Sequence, residues 1–215
     1  FPMSTYRAPL ADMRFVLFDV LDASALFTRL GFDDATQDVV DAVLDEGARF
    51  TETVLAPLNR VGDETGCVFD PATGDVVTPP GFKQAYGHYV DGGWAGLVSP
   101  VEFGGQGLPH LTGLPLKEMI DAANLAWGNF PLLSHGATEA LLHHGETWQQ
   151  DAFLKPIVEG RWTGTMCLTE AHCGTDLGLL RTRPTPSDDG TFSTGGTQPF
   201  ITPGGQAVPH KPGPI

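Results

Sequence analysis

Gly164-Thr165-Met166-Cys167-Leu168-Thr169-Glu170-Ala171-His172-Cys173-Gly174-Thr175-Asp176 is the stretch on which the reading of the fold turns. Met166, Cys167 and Leu168 form an apolar run too short for a helix. Bounded by Gly164 and Gly174, they predict a buried strand that feeds a loop. The loop carries the polar chemistry. Thr169 and Thr175 offer donors and acceptors, and Gly174 lets backbone N–H groups approach a ligand with no side chain in the way. A rim of this kind suits a flat cofactor with a polar edge.

Before this stretch the chain has helical periods; after Trp162 it has threonines, glycines and β-branched residues. Leu10, Met13, Leu17, Val20 and Leu21 follow helical spacing, with Pro9 acceptable at the first turn. Asp33 to Thr36 supply capping residues for a second helix, marked by Val40, Val43, Leu44, Val54, Leu55 and Leu58, which Pro57 should bend or end. Core packing accounts for both stripes. Turn formers between Asp63 and Gly81 predict an exposed loop. Phe82, Ala85, Tyr86, Tyr89 and Val90 resume helical spacing until Gly92-Gly93. Two further helices are expected over Pro115–Asn129 and Phe130–His144. Thr147 and Gln150 have the spacing of a capping box, with Pro156 kinking that helix and Gly160 ending it. Leu179–Arg183 and Thr191–Thr194, separated by Pro186-Ser187-Asp188-Asp189-Gly190, predict a hairpin.

Two further segments frame the opening stretch. One is Gly96-Leu97-Val98-Ser99-Pro100-Val101-Glu102-Phe103-Gly104-Gly105-Gln106-Gly107-Leu108-Pro109, and the other is Phe200-Ile201-Thr202. Gly104-Gly105-Gln106-Gly107 lacks the Gly-Lys-[Ser/Thr] ending and preceding strand of a nucleotide-binding loop, so a tight connection between helices is the better reading. Taken together, the three segments resemble the G-L-x-x-P-x-E-x-G-G-x-G, L-T-E-P-x-x-G-[ST]-D and aromatic-Ile-Thr motifs of the FAD-dependent acyl-CoA dehydrogenases. Ala171 replaces the usual proline. Tyr6 to Leu10, with Met13, Arg14 and Phe15, is similar to a large-subunit branch that includes the 3-methylmercaptopropionyl-CoA dehydrogenase type.

The resemblance implies an α+β chain, in which an N-terminal all-α helical domain precedes the start of a small antiparallel β domain. The expected divisions are a helix-bearing extension over 1–35, the helical domain over 36–160, a partial β domain over 161–202 and an irregular tail over 203–215. It implies FAD as cofactor, with Met166, Leu168 and Thr169 along the flavin ring. Thr175 would meet the pyrophosphate or the pantetheine arm of the substrate, and Phe200 and Thr202 would close the other side. Asn124, Phe130, Leu133 and His135 would be acyl-pocket wall residues. The implied reaction, within fatty acid metabolism, is α,β-dehydrogenation of an acyl-CoA thioester, with electrons passing to an electron-transfer flavoprotein-type acceptor and a homo-oligomer as the full-length assembly. In the family the catalytic base is a glutamate of a C-terminal helical domain, which this sequence does not contain. No catalytic residue is therefore expected here, and Glu170 belongs to the flavin-loop motif. The chain reads as a fragment, inactive alone. Related flavin monooxygenases, nitroalkane oxidases and a non-catalytic remnant or binding module are the alternatives.

Composition narrows the partners. Asp and Glu total 26 against 12 Lys and Arg, a formal net charge of −14, with no basic cluster. This argues against nucleic acid while leaving room for an anionic coenzyme held by local N–H groups. Cys67, Cys167 and Cys173 have neither the even count nor the spacing of a disulfide scaffold. With no apolar window long enough for a bilayer, a cytoplasmic location is expected, with Met3 as a candidate start. His172 and Cys173, with Cys167, His143 and His144, raise a metal reading, but metal-ligand spacings are absent and no metal is expected. From about Thr194 the sequence departs from the family pattern, with Gln198 and Pro199 in place of Lys and an apolar residue. A disrupted frame or truncated gene is the expectation there.

Overall fold

The structure, a computed structural model, describes residues 6–197 and the backbone of 201–202. The described chain separates into two compact units divided between Gly164 and Thr165. The first is helical. Its α1 (Leu10–Arg14) runs into a π-helical segment, Phe15–Val20, and of the expected apolar stripe Met13 and Leu17 are buried while Val20 and Leu21 are exposed, because the π-turn shifts the helical phase. The sequence did not foreshadow α2 (Ala23–Arg29), which is capped by Asp22 in the left-handed conformation and buries Ala23 and Phe27. Then come α3 (Gln37–Phe50), a π-turn over Thr51–Leu55 and α4 (Ala56–Thr65). Thr36 caps α3 through its side chain, as expected.

Pro57 does not end this rod, because it falls in the first turn of α4 immediately after the π-turn. The wider turn relieves the conflict between a proline ring and the preceding carbonyls. Thr51, fully buried there, donates its hydroxyl to the Gly47 and Ala48 carbonyls at 2.9 and 3.1 Å. Arg14 pairs with Asp41 (2.5 Å) and Asp45 (2.8 Å), fastening α1 to α3. The supposed loop after α4 contains a small antiparallel hairpin, β1 (Val68–Phe69) with β2 (Val76–Val77), closed around the Asp70–Asp75 turn. Turn formers conceal such short strands, since two residues have no readable period. α5 (Phe82–Asp91) ends at Gly92-Gly93.

The predicted pair of helices over 115–144 is a single run, α6 (His110–His144), broken at Asn124 rather than near Phe130. Asn124 has φ −161° and ψ 85°, outside the helical region. Its Oδ1 accepts a hydrogen bond from the Trp127 N–H at 3.1 Å, so Asn124 caps the second arm. Its Nδ2 donates to the Leu55 carbonyl on the α3–α4 rod at 3.3 Å. The bend folds α6 back along itself. In a straight helix His110 and His135 would stand about 37 Å apart at 1.5 Å per residue; their ring centroids are 5.5 Å apart. Leu116, Met119, Ile120, Ala123 and Trp127 of α6 join Val40, Leu44, Phe50 and Leu55 in the core. Gly47 permits close approach, since a Cβ there would lie 2.9 Å from Met119 Cε.

The glycine-rich segment connects α5 to α6 and is fully engaged with itself. The N–H groups of Gly105, Gln106, Gly107 and Leu108 donate to the carbonyls of Pro100, Gly96, Ser99 and Leu97. No phosphate cradle is left in this conformation. A Cβ at Gly105 would fall 2.1 Å from the Ser99 carbonyl oxygen, so two backbone strands cross there at a distance only glycine allows. α7 (Thr147–Val158) has its capping box one residue earlier than expected, on Glu146 and Gln149. Gln150 instead donates from Nε2 to the carbonyls of Leu141, Leu142 and Gly145, satisfying the end of α6.

In the second unit β3 (Met166–Cys167) pairs antiparallel with β6 (Ile201–Thr202), while β4 (Arg183–Pro186) pairs with β5 (Phe192–Gly195). The hairpin expected from sequence exists, but its first strand lies further along the chain, because Leu177–Leu179 form a 3₁₀ turn. β3 is exposed rather than buried, with Met166 52 % accessible; a two-residue strand with one partner has little to cover it. Phe200, Gln198, Pro199 and the 203–215 tail lie outside the described residues.

Two substitutions test this architecture. Asn124→Ala removes both the cap and the bond to Leu55, and is expected to lower unfolding free energy by about 2 kcal/mol in urea titrations. Gly105→Ala forces the crossed backbones apart and is expected to cost more than about 2 kcal/mol. Unchanged urea midpoints would contradict both accounts.

Candidate functional site

The loop after β3 is shaped by one carboxylate. Glu170 and Cys173 exchange backbone hydrogen bonds at 2.9 and 3.1 Å, closing a tight turn over Ala171 and His172. The Glu170 side chain is 5 % exposed and points back into the loop. It accepts the Arg181 N–H on both oxygens at 3.1 and 3.0 Å, and the Thr182 N–H on Oε1 at 2.7 Å. These bonds span eleven and twelve residues of sequence, so the intervening segment becomes a closed loop. Asp176 Oδ1 accepts the Gly178 N–H at 3.1 Å and starts the 3₁₀ turn inside it.

This donor set fixes the charge state of Glu170. The Thr182 hydroxyl, then the Thr182 and Arg181 N–H groups, lower its pKa from the usual 4.5 to about 2; burial opposes them and His172 assists weakly. A carboxylate so satisfied is a poor proton acceptor near neutrality, so Glu170 is unsuited to act as a general base. His172 Nε2 lies 2.9 Å from the Leu179 carbonyl and 3.5 Å from Glu170 Oε2. Glu170, His172 and Cys173 therefore bring donor atoms within 4.8 Å of one another. The first two are already committed to closing the loop.

The sequence-predicted cofactor residues are arranged as follows. Met166 is exposed, Leu168 and Thr169 are half-buried, and Thr175 is exposed. Met166 and Thr202, far apart in sequence, are direct partners across the β3–β6 ladder. Thr169 packs on Gly174, where an added Cβ would lie 3.1 Å from Thr169 Cγ2. The loop thus turns its acid inward and leaves hydroxyls and apolar groups outward. Sequence reading missed the role of Glu170, because its partners lie eleven and twelve residues further on, at Arg181 and Thr182, and its bonds to them are made chiefly by main-chain N–H groups that carry no sequence signature.

The helical unit carries a separate feature, a mainly apolar cavity of about 200 Å³. Leu97, Val98, Leu116, Ile120 and Leu132 line it, with Ser134, His110 and His135 among its polar groups. Of the expected wall residues, His135 faces this cavity, whereas Phe130 lines another with Phe82 and Trp127. Leu133 is half-buried in α6. Asn124 is spent on the bend. Tyr86, whose burial pushes its pKa up to about 12, donates to the Gly160 carbonyl at 3.0 Å and ties α5 to the end of α7.

Comparison with known proteins bears on both units. The acyl-CoA dehydrogenase N-terminal domain family matches residues 38–161. The 3-methylmercaptopropionyl-CoA dehydrogenase of Ruegeria pomeroyi is 38% identical over 203 residues, covering 92% of this chain and 33% of that protein. A broad-specificity linear acyl-CoA dehydrogenase of Mycobacterium tuberculosis is 33% identical, covering 94% of this chain and 33% of the relative. The chain spans about a third of the length of these curated relatives. The solved butyryl-CoA dehydrogenase of Megasphaera elsdenii shares the fold at 24% identity, with a TM-score of 0.65 over 77% of this chain and 41% of that one. With a family match over more than half of its length, and mostly helical architecture giving way to small antiparallel strand pairs, the chain belongs to the acyl-CoA dehydrogenase family.

Proposed function

We propose that this chain supplies a helical wall and a flavin-edge loop to an FAD-dependent acyl-CoA dehydrogenase, which carries out α,β-dehydrogenation of an acyl-CoA thioester. The observation that supports this most is the β3–β6 pairing: it brings Thr202, from the third sequence motif, opposite Met166 at the start of the second. A loop closed by an inward carboxylate, with Thr169 against Gly174 and Thr175 outside, has the donor chemistry that a planar ring with a polar edge requires. Met166, Leu168, Thr169, Thr175, Phe200 and Thr202 are the residues assigned to it. When bound, FAD supplies the hydride acceptor for the substrate β hydrogen.

The residues of this chain orient and exclude rather than transfer protons. Glu170 holds the loop closed and, with its low pKa, is not assigned the α proton; the family resemblance gives that role to a glutamate of a C-terminal helical domain. The apolar cavity beside α6 is assigned to the acyl chain, for which an apolar lining with few polar groups is appropriate. An electron-transfer flavoprotein-type acceptor, a homo-oligomeric assembly, a cytoplasmic location and a role in fatty acid metabolism complete the reading. Among the described residues, no helix is long and apolar enough to cross a membrane.

FAD titration of the 215-residue chain, followed by flavin fluorescence, tests the assignment. Saturable but weak binding is expected, with Thr169→Val/Thr202→Val weakening it by about tenfold, equivalent to about 1.4 kcal/mol. Equal binding by both proteins, or no saturable binding by either, would sink it. No dehydrogenation is expected from the 215 residues alone; bleaching of a bound flavin by an acyl-CoA would contradict that.

The loop makes a separate prediction. Because the Glu170 pKa is depressed on folding, its stabilisation is complete above the usual 4.5 and is lost as pH falls through about 2. Glu170→Ala is expected to remove this pH dependence and to raise amide exchange at Arg181 and Thr182 by about tenfold at neutral pH. Exchange rates that match the parent chain would refute the clasp.

A further inference from the structure

The bend at Asn124 has a second consequence, at the open end of the α6 hairpin. His110 begins the first arm, and His135 and Glu139 occupy one face of the second, four residues apart as helical neighbours must be. One donor atom from each of the three lies within 4.8 Å of the others. His110 Nε2 is 3.8 Å from Glu139 Oε1, and the two imidazole centroids are 5.5 Å apart. Tetrahedral zinc with ligands at about 2.0–2.1 Å needs donor separations of about 3.4 Å. A rotamer adjustment of exposed side chains covers the difference, since His110 is 60% and Glu139 33% exposed.

We propose that His110, His135 and Glu139 form a divalent transition-metal site, of zinc class, that clamps the two arms of α6 together at the rim of the apolar cavity. Two imidazoles and a carboxylate are a donor set that zinc accepts, with the fourth position open to water. The ligands come from both arms, so a bound ion converts a contact between neighbours into a cross-link that the bend alone does not provide. His110 and His135 also line the cavity, and the ion would therefore fix the width of its mouth. Glu139 is not otherwise committed to an arginine or lysine partner among the described ion pairs: its contacts are His110 and, at 3.5 Å, His143.

In the competing group, Glu170, His172 and Cys173, the first two are already engaged by their own loop, which makes Cys173 a discriminating control. The test is calorimetric titration of the untagged, metal-stripped chain with zinc chloride, alongside cobalt(II) binding followed by visible absorption. Expected results are one ion per chain, tetrahedral cobalt bands and a rise in Tm with zinc. His110→Ala and His135→Ala should each weaken binding by at least about tenfold, while His88→Ala on α5 should leave it unchanged. The proposal is overturned if the parent chain binds no zinc, if binding survives His110→Ala/His135→Ala, or if Cys173→Ala abolishes it instead. Circular dichroism of each variant separates loss of ligands from loss of fold.

Discussion

The side chain of Asn124 determines how the helical unit is built. A run of 35 residues, left straight, would project far beyond any core that a unit of this size can make. One residue with φ −161° interrupts it, and the amide both starts the second arm and ties the bend to the Leu55 carbonyl on the α3–α4 rod. From this follow the burial of Met119, Ile120, Ala123 and Trp127 against α3 and α4, the cavity between α5 and α6, and the meeting of His110 with His135. An apolar residue at 124 would leave the same stripe without a way to turn, and the rod without the amide that ties the bend to Leu55.

The second unit has an analogous constraint of opposite sign. There a charged group, nearly inaccessible, shapes a loop by accepting backbone N–H groups rather than by packing. Burying a carboxylate is costly unless it is hydrogen-bonded, and Glu170 meets that condition within its own loop. The arrangement separates two duties that an acid in a redox site might perform. Glu170 positions; it does not exchange protons near neutrality. Its inward orientation leaves Thr169, Thr175 and Met166 as the chemistry available at the surface of the loop.

The glycine-rich segment shows why local motifs need tertiary context. Gly104-Gly105-Gln106-Gly107 looks like a cradle when read as letters. In three dimensions its N–H groups are all consumed by the carbonyls of Val101, Pro100, Gly96 and Ser99, and Gly105 is required because another backbone passes where a Cβ would stand. The same lesson applies to Pro57. Read alone it ends a helix, yet the preceding π-turn carries the rod through it.

What the sequence determined by itself is periodic or punctuated: the apolar stripes of α3, α5 and α6, the Thr36 cap, the glycine stop after α5, and the change of texture after Trp162. Its three ordered motifs also carried the family, because residue types at fixed spacings survive without coordinates. Only the tertiary structure decided the position of the α6 break, the use of Glu146 rather than Thr147 as a cap, the exposure of β3 and the partners of Glu170. Each of these depends on groups brought together from distant positions, most of them main-chain N–H and C=O groups that every residue possesses. A sequence does not mark which of its identical backbone groups will be left needing a partner; packing does.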